Sequence, residues 1–499
     1  MTAADAYSHL ESRFRRIAVL EECATVLHWD AAVMMPASAA EPRGDQLAEL
    51  RVVLHELLTD PALGELLSAA EEAPPEDPWA AANLREMRRD HLHAAAAPVD
   101  LVAAHSRACS ACEARWRTAK GEDDFAAVRP HLEEVVRLSR EIGAVKGEAL
   151  GLDPYDALMD QYEPDARADD VVPVLEAYAA FLPDFLAAVL EKQGRAPAPA
   201  APQGPFPADG QRALVRDLLA RVGFPFERGR LDESAHPFST GYPGDNRITI
   251  MVKEDDPSMA VMASLHECGH ALYEAQLPSA WARQPVGRAR GMAMHESQSL
   301  IVEMQACRSP EFIAWLAPRM SAALGPDPAF EPANLKRLYN QVTPSLIRVE
   351  ADEVTYPAHV ILRTRLERAL MAGDLAVDDL PGAWRDELSA LLGVRPDTDR
   401  EGVLQDIHWF DGAFGYFPTY TLGAMTAAQL MAAAQEARPE IPARLAEGDF
   451  TPLLDWLAGA VHSQASRYPT QEVIRRATGR PLDPTAFQAH LKRRYLETE

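Results

Sequence analysis

Cysteine is scarce in this sequence: five in 499 residues, at positions 23, 109, 112, 268 and 307. An odd number, widely scattered, describes no disulfide framework and favours a reducing compartment, so a cytoplasmic protein is expected. Long apolar runs are missing too. No stretch of eighteen or more consecutive apolar residues occurs, and residues 1–16 carry early acids without an apolar segment. Neither a membrane span nor a secretory leader is therefore expected. Positive charge is short: 49 Lys and Arg face 75 Asp and Glu, a formal net charge of −26. Such a surface repels phosphate backbones and anionic membranes, which argues against nucleic acid or a membrane as partner. An anionic substrate would need basic residues placed locally to receive it. Phosphate-cradling glycine loops and the G-x-S-x-G elbow are absent, which weakens nucleotide-binding and serine-hydrolase readings.

What is present is mostly helix. The composition, 47% apolar and 25% charged, is that of an ordinary globular protein. Leu47, Leu50, Leu54, Leu57 and Leu58 fall at helical spacing, and Asp60-Pro61 supplies an N-cap followed by proline at the first helical position. Further helical patterns run near 98–119, 130–149, 171–193 and 210–222, and others separated by Pro and Gly continue from 310 to the end. The composition breaks at 194–210, with Pro at 197, 199, 202, 205 and 207, which reads as a long surface loop rather than a domain linker. Strand signals are few. The clearest is 247–252, Arg-Ile-Thr-Ile-Met-Val, so a small sheet inside a mainly α protein is predicted.

Asp256-Pro257 repeats the cap-plus-proline signal and opens a helix expected to reach about residue 277. It carries His266-Glu-Cys-Gly-His270, an H-E-x-x-H motif. Residues four apart share a helix face about 6 Å apart, so both imidazoles reach one ion. Glu267, rotated by about 100° from His266, borders a water on that ion. Two nitrogen ligands, an open position and a carboxylate beside the water are what a zinc hydrolase needs. A third ligand has to come from another element, because Glu274 lies about 12 Å along the same helix from His266. Met294-His295-Glu296-Ser297 opens a second helical pattern, from which Glu296 can face the two histidines. His295 is its rival, and Glu303, two turns on, is the natural carboxylate behind the ligands.

Several motifs agree on one resemblance. His266-Glu-Cys-Gly-His270, His295-Glu-Ser-Gln298, Asp245-Asn-Arg-Ile-Thr249, Ile347-Arg-Val-Glu-Ala-Asp352 and Gly402-Val-Leu-Gln-Asp-Ile-His-Trp409 resemble the Taq-type metallocarboxypeptidase family, as do Leu27-His-Trp-Asp30 and Phe414-Gly-Tyr-Phe-Pro-Thr-Tyr420. The resemblance spans nearly the whole chain. It implies a mainly α, saddle-like unit with a deep central groove, usually a homodimer, that removes C-terminal residues from peptides. It implies Zn2+ on His266, His270 and Glu296, with Co2+ or Mn2+ as substitutes, and Glu267 as general base. Leu300 and Met304 depart from it, standing where many relatives have Arg and Asn. Because motifs from Leu27 to Tyr420 must converge on one groove, a single unit over 1–499 is expected.

The chemistry then asks for two further functions. A tetrahedral oxyanion needs a donor besides the metal, and Tyr420 and His408 are the candidates. A free C-terminal carboxylate calls for a planar guanidinium, and Arg348 is the candidate, with Asp352 four residues on as the group that would hold it. Peptides with a free C-terminus, cleaved with broad specificity, are the expected substrates. Strand 247–252, if it leaves an edge exposed, could pair with the substrate backbone. Asp245 and Arg247 are read as structural. The competing readings are a zinc oligoendopeptidase and a non-catalytic helical zinc-binding protein; intact Glu267 argues against the second. Cys109, Cys112 and His105 are read as packing residues, and His91 and His93 as surface residues.

Overall fold

The computed structural model describes residues 2–497. Among them the chain is 70% helical, with twenty α-helices and one three-stranded sheet. The helix starts follow from local chemistry. Thr2 and Asp5 form a reciprocal capping box at 3.1 Å that opens Ala3–Val33. Asp60 accepts the Ala62 N–H at 2.9 Å to start Pro61–Glu71, and Asp256 accepts the Ser258 N–H at 2.9 Å to start Pro257–Ala275. The periodic segments become Val99–Glu122, Phe125–Leu150, Ala168–Gly194 and Ala208–Val222. The second begins five residues before Pro130 because Asp124 caps it, accepting the Ala127 N–H.

One apolar cluster runs from Cys112 to Tyr495, and a second joins Leu10, Phe14 and Ile17 of the first helix to Leu63, Leu67 and Met87. Helix Ala168–Gly194 is the one described helix long and apolar enough to cross a membrane by composition. Its Val171, Leu175, Tyr178, Leu182 and Phe185 are instead buried in the larger cluster. The stretch 194–210 is a loop tied down at several points. Ala200 exchanges two bonds with the Asn334 amide at 2.8 and 3.0 Å, the Gln203 N–H donates to Asp327, and Phe206 is buried.

Two expectations need correction. The helical pattern after 310 is interrupted between Tyr339 and Tyr356 and again between Leu392 and Pro418, where Pro and Gly break it; only the single turn Arg348–Glu350 forms in the first gap. Both gaps carry candidate site residues. The strand is β3, Asp245–Ile250, flanked by β1, Gly229–Glu233, in parallel and by β2, Ser239–Tyr242, in an antiparallel hairpin. β3 is the central strand, so it offers no free edge to a peptide.

Helix Pro257–Ala275 packs on β3 through Ile248 and Ile250 and is buried along most of its length. Its closest neighbour is helix Met292–Leu300, which continues into the wider π-helical turns Ile301–Cys307. The two meet at Gly269, where an added Cβ would lie 2.3 Å from the Gln298 carbonyl oxygen and 2.6 Å from Ser299 Cα. Only glycine permits this approach. Gly269→Ala is therefore expected to destabilise the protein by about 1–3 kcal/mol in urea titration, the range for overpacking. Gly44→Ala, in helix Ala40–Thr59 with nothing within 4 Å, should be neutral or stabilise by up to about 1 kcal/mol.

Candidate metal centre and active site

His266 and His270 project from one helix and Glu296 from the other. Their ligand atoms all lie within 4.8 Å of one another. Glu296 Oε2 is 3.8 Å from His266 Nε2 and 3.5 Å from His270 Nε2. A third helix, Pro418–Ala437, closes the far side of Glu296. Gly423 allows it, since a Cβ there would sit 2.8 Å from Glu296 Cβ. The N-terminus of the Glu296 helix is fixed by Glu163, which accepts the Ala293 N–H at 2.8 Å.

Both imidazoles are oriented from behind. His266 Nδ1–H donates to Glu303 Oε2 at 3.0 Å, and Arg308 Nη2 donates to Glu303 Oε1 at 2.7 Å. His270 Nδ1 meets His295 Nδ1 at 2.6 Å, while His295 Nε2 meets Glu274 Oε1 at 3.0 Å. The Glu274 carboxylate can only accept, so it fixes the proton on His295 Nε2 and leaves Nδ1 to accept from His270. Both histidines thus turn Nε2 toward the space before Glu296, where a divalent cation would take the place of an Nε2 proton. Two imidazole nitrogens and one carboxylate, with no fourth such group joining the set among the described residues, fit a catalytic zinc-type site.

Charge is arranged around that space. Burial drives the His270 pKa down to about 4. Burial also opposes protonation of His266, but the Glu296 and Glu303 carboxylates outweigh it and hold the pKa up at about 10. Burial opposes ionisation of Glu296, but His266 and His270 outweigh it and keep the carboxyl down at about 2. Glu267 is buried, 9% exposed, and burial pushes its carboxyl up to about 7. A cleft of about 770 Å3 opens beside the site, lined in part by Tyr162, Glu274, Met292 and His295.

The two irregular segments meet on the other side. Arg348, 7% exposed, donates from Nε and Nη2 to the two Asp406 oxygens at 2.9 Å each and from Nη1 to Tyr356 Oη at 2.7 Å. Arg363 donates to the same Asp406 carboxylate. Two guanidinium groups on one carboxylate leave a buried net charge of +1. Tyr420 packs 5.3 Å from the Arg348 guanidinium, and His408 lies 6.5 Å from the Tyr420 ring and stacks on Tyr416. Burial lowers His408 to about 4, so it is neutral at pH 7, and its buried Nδ1 has no partner. The Tyr420 phenol is pushed well above its ordinary value by burial and stays a donor.

Asp352 does not hold Arg348. Its carboxylate accepts the backbone N–H groups of Thr343, Val354 and Thr355 at 2.9–3.0 Å, because the segment turns there instead of continuing as the helix that would align residues 348 and 352. Sequence reasoning assigned no role to Asp406, although it stands in the Gln405-Asp406 motif that also carries His408, and none to Tyr356, Arg363 or Tyr416. Asp245 and Arg247 do pair with each other, at 2.7 and 2.9 Å. The five cysteines are all unpaired, and burial holds the Cys109 and Cys112 thiols up at about 11 and about 12. His93 is part-buried against Asp160 at 3.0 Å rather than on the open surface.

Comparison with known proteins gives one answer. Residues 9–495 match the family described as carboxypeptidase Taq (M32) metallopeptidase. The chain is 38% identical to thermostable carboxypeptidase 1 of Thermus thermophilus and 33% identical to carboxypeptidase 1 of Bacillus subtilis, over 99% and 96% of each pair of chains. Its fold superposes on Trypanosoma cruzi metallocarboxypeptidase 1 with a TM-score of 0.96 at 37% identity, covering 99% of both chains. The endopeptidase and purely structural readings find no support among these relatives. The chain belongs to the M32, Taq-type family of metallocarboxypeptidases and is a peptide-hydrolysing enzyme that acts at the C-terminus.

Proposed function

We propose that His266, His270 and Glu296 hold one Zn2+, that Glu267 is the general base, and that Arg348 receives the terminal carboxylate of the substrate. The observation that carries this reading is the convergence of three ligand atoms within 4.8 Å, with a buried carboxylate on the adjoining helix position. Co2+ or Mn2+ can occupy the same donor set. When bound, the ion supplies Lewis-acid activation of water and polarises the scissile carbonyl.

The chain's own groups do the rest. Glu267 takes the proton of the attacking water on its carboxylate and returns it to the leaving amine, a role suited to a carboxyl raised by burial toward neutrality. Tyr420 and the neutral His408 supply the donors for the oxygen that gains charge. Arg348 has three of its five N–H groups engaged by Asp406 and Tyr356, which leaves two for a substrate carboxylate. The residual +1 of the Arg348–Asp406–Arg363 group gives an anionic terminus a local attraction inside a chain of −26. The unpaired cysteines fit a cytoplasmic enzyme, and the family resemblance supports a homodimer as the working form, with the whole chain acting as one unit.

Glu267→Gln should keep its zinc by elemental analysis while kcat on a blocked dipeptide falls by about 10²–10⁴-fold; equal hydrolysis by both proteins would remove Glu267 from the base role. Arg348→Ala should lose about 10–100-fold in kcat/KM on peptides with a free C-terminus, the scale of charge-assisted hydrogen bonds. Its rate on amidated peptides should not fall, and Arg348→Lys should recover part of the loss. Unchanged discrimination between free and amidated peptides would take the clamp away from Arg348.

A further inference from the structure

Arg348 belongs to the irregular stretch between Tyr339 and Tyr356, which has no helix or strand besides the single turn Arg348–Glu350. A side chain on such a stretch is only as well placed as the ties that hold its backbone. Gln193 and Gln405 brace that backbone at Val342 and Leu346. Its two ends are tied to the metal's side of the molecule. Upstream, Arg308 donates from Nη1 to the Tyr339 carbonyl oxygen at 2.9 Å while its Nη2 holds Glu303. Downstream, Glu353 accepts from the Gln305 amide at 3.2 Å. Glu303 and Gln305 both stand in the π-helical turns Ile301–Cys307, and Glu303 is the carboxylate behind His266.

Glu353 is a buried carboxylate, 5% exposed, with donors on both oxygens. Besides Gln305, Oε1 accepts from His490 Nε2 at 2.9 Å; Oε2 accepts from Arg494 Nη1 at 2.9 Å and from Tyr495 Oη at 3.1 Å. Burial opposes its ionisation, but Arg494 and His490 outweigh it and hold the carboxyl well below the usual range. The last three donors come from helix Pro484–Leu491 and the turns Lys492–Glu497 that continue it. Arg494 also donates from Nη2 to the Gln305 carbonyl oxygen at 3.3 Å, so these C-terminal turns grip the same residue that Glu353 does. An apolar side chain would fill this space without fixing a register. Four directional bonds on one carboxylate set where residue 353 sits relative to the π-helical turns.

We propose that Glu353 is a positioning residue for peptide hydrolysis: through Gln305 it fixes the span between Arg348 and the metal centre at His266. The proposal rests on the reading of Arg348 as the carboxylate clamp and goes beyond it, since Glu353 acts through its neighbours and not on the substrate. That span decides whether a peptide held by its terminus presents its last peptide bond to the ion. A displacement of about 1 Å can cost about 10²-fold in rate.

Full-length, zinc-loaded enzyme assayed on a blocked dipeptide and on its amidated counterpart tests this, with zinc content and melting temperature recorded. Glu353→Gln keeps the side-chain shape, but whichever way its amide turns, the NH2 group meets donors. The ratio of rates, free over amidated, should fall about tenfold or more. The loss should lie in kcat and not in KM, because Arg348 and Asp406 still pair. Tyr495→Phe deletes one of the four bonds and keeps the ring, so it should lower the ratio by a smaller factor and decides the test where Glu353→Gln does not fold. Arg348→Ala is measured beside them. A parental ratio in the folded variants while Arg348→Ala loses it, or an equal loss on both peptides, would overturn the positioning role and leave the clamp standing. An unchanged ratio in Arg348→Ala would overturn the clamp and this proposal with it.

Discussion

The contact at Gly269 is the constraint on which the catalytic architecture depends. A side chain there would overlap the backbone at Gln298 and Ser299, so the two ligand-bearing helices approach as closely as their backbones allow. That approach brings a carboxylate from one helix in front of two imidazoles a single turn apart on the other. Gly423 repeats the device on the opposite flank of Glu296. If His266, His270 and Glu296 hold the ion as proposed, a ligand set built on packed helices in this way needs little reorganisation on binding, which is how a site gains affinity without extra contacts.

Electrostatics then specifies what the packed scaffold can do. His266 and His270 each have the rear nitrogen committed, one to Glu303 backed by Arg308, the other to His295 backed by Glu274. The π-helical turns Ile301–Cys307 carry Glu303 into register behind His266, an instance of wide helical turns at a functional site. Around Arg348 the logic differs. Two guanidinium groups share the Asp406 carboxylate, so a buried positive charge survives in a strongly acidic protein. In the proposed function this buried positive charge offsets the acidity of the sequence, drawing an anionic C-terminus into a molecule that repels anions.

How much of this is legible in the sequence depends on the range of the interaction. Local signals read well. Asp60-Pro61 and Asp256-Pro257 start helices where expected, the H-E-x-x-H spacing fixes the geometry of His266 and His270, and Glu303 stands behind His266 as its position suggests. Tertiary partnerships read poorly. Asp352 lies at helical spacing from Arg348, yet the chain turns there and Asp406, 58 residues away, takes the arginine. β3 has the pattern of a strand but nothing in its own residues reveals that β1 and β2 cover both its edges. The family resemblance supplies what periodicity lacks, because its motifs mark Gln405-Asp406 and Tyr416-to-Tyr420 as a set even where no spacing explains them.

In the proposed site two closely packed helices present His266, His270 and Glu296 to a single ion while His295 and Glu274 stay behind them. Anomalous diffraction at the zinc edge from crystals of the metal-loaded protein tests it directly. One peak is expected within bonding distance of both Nε2 atoms and of a Glu296 oxygen, with His295 outside that distance. A peak between His295 and Glu274, or one bonded to His295 in place of Glu296, would contradict it.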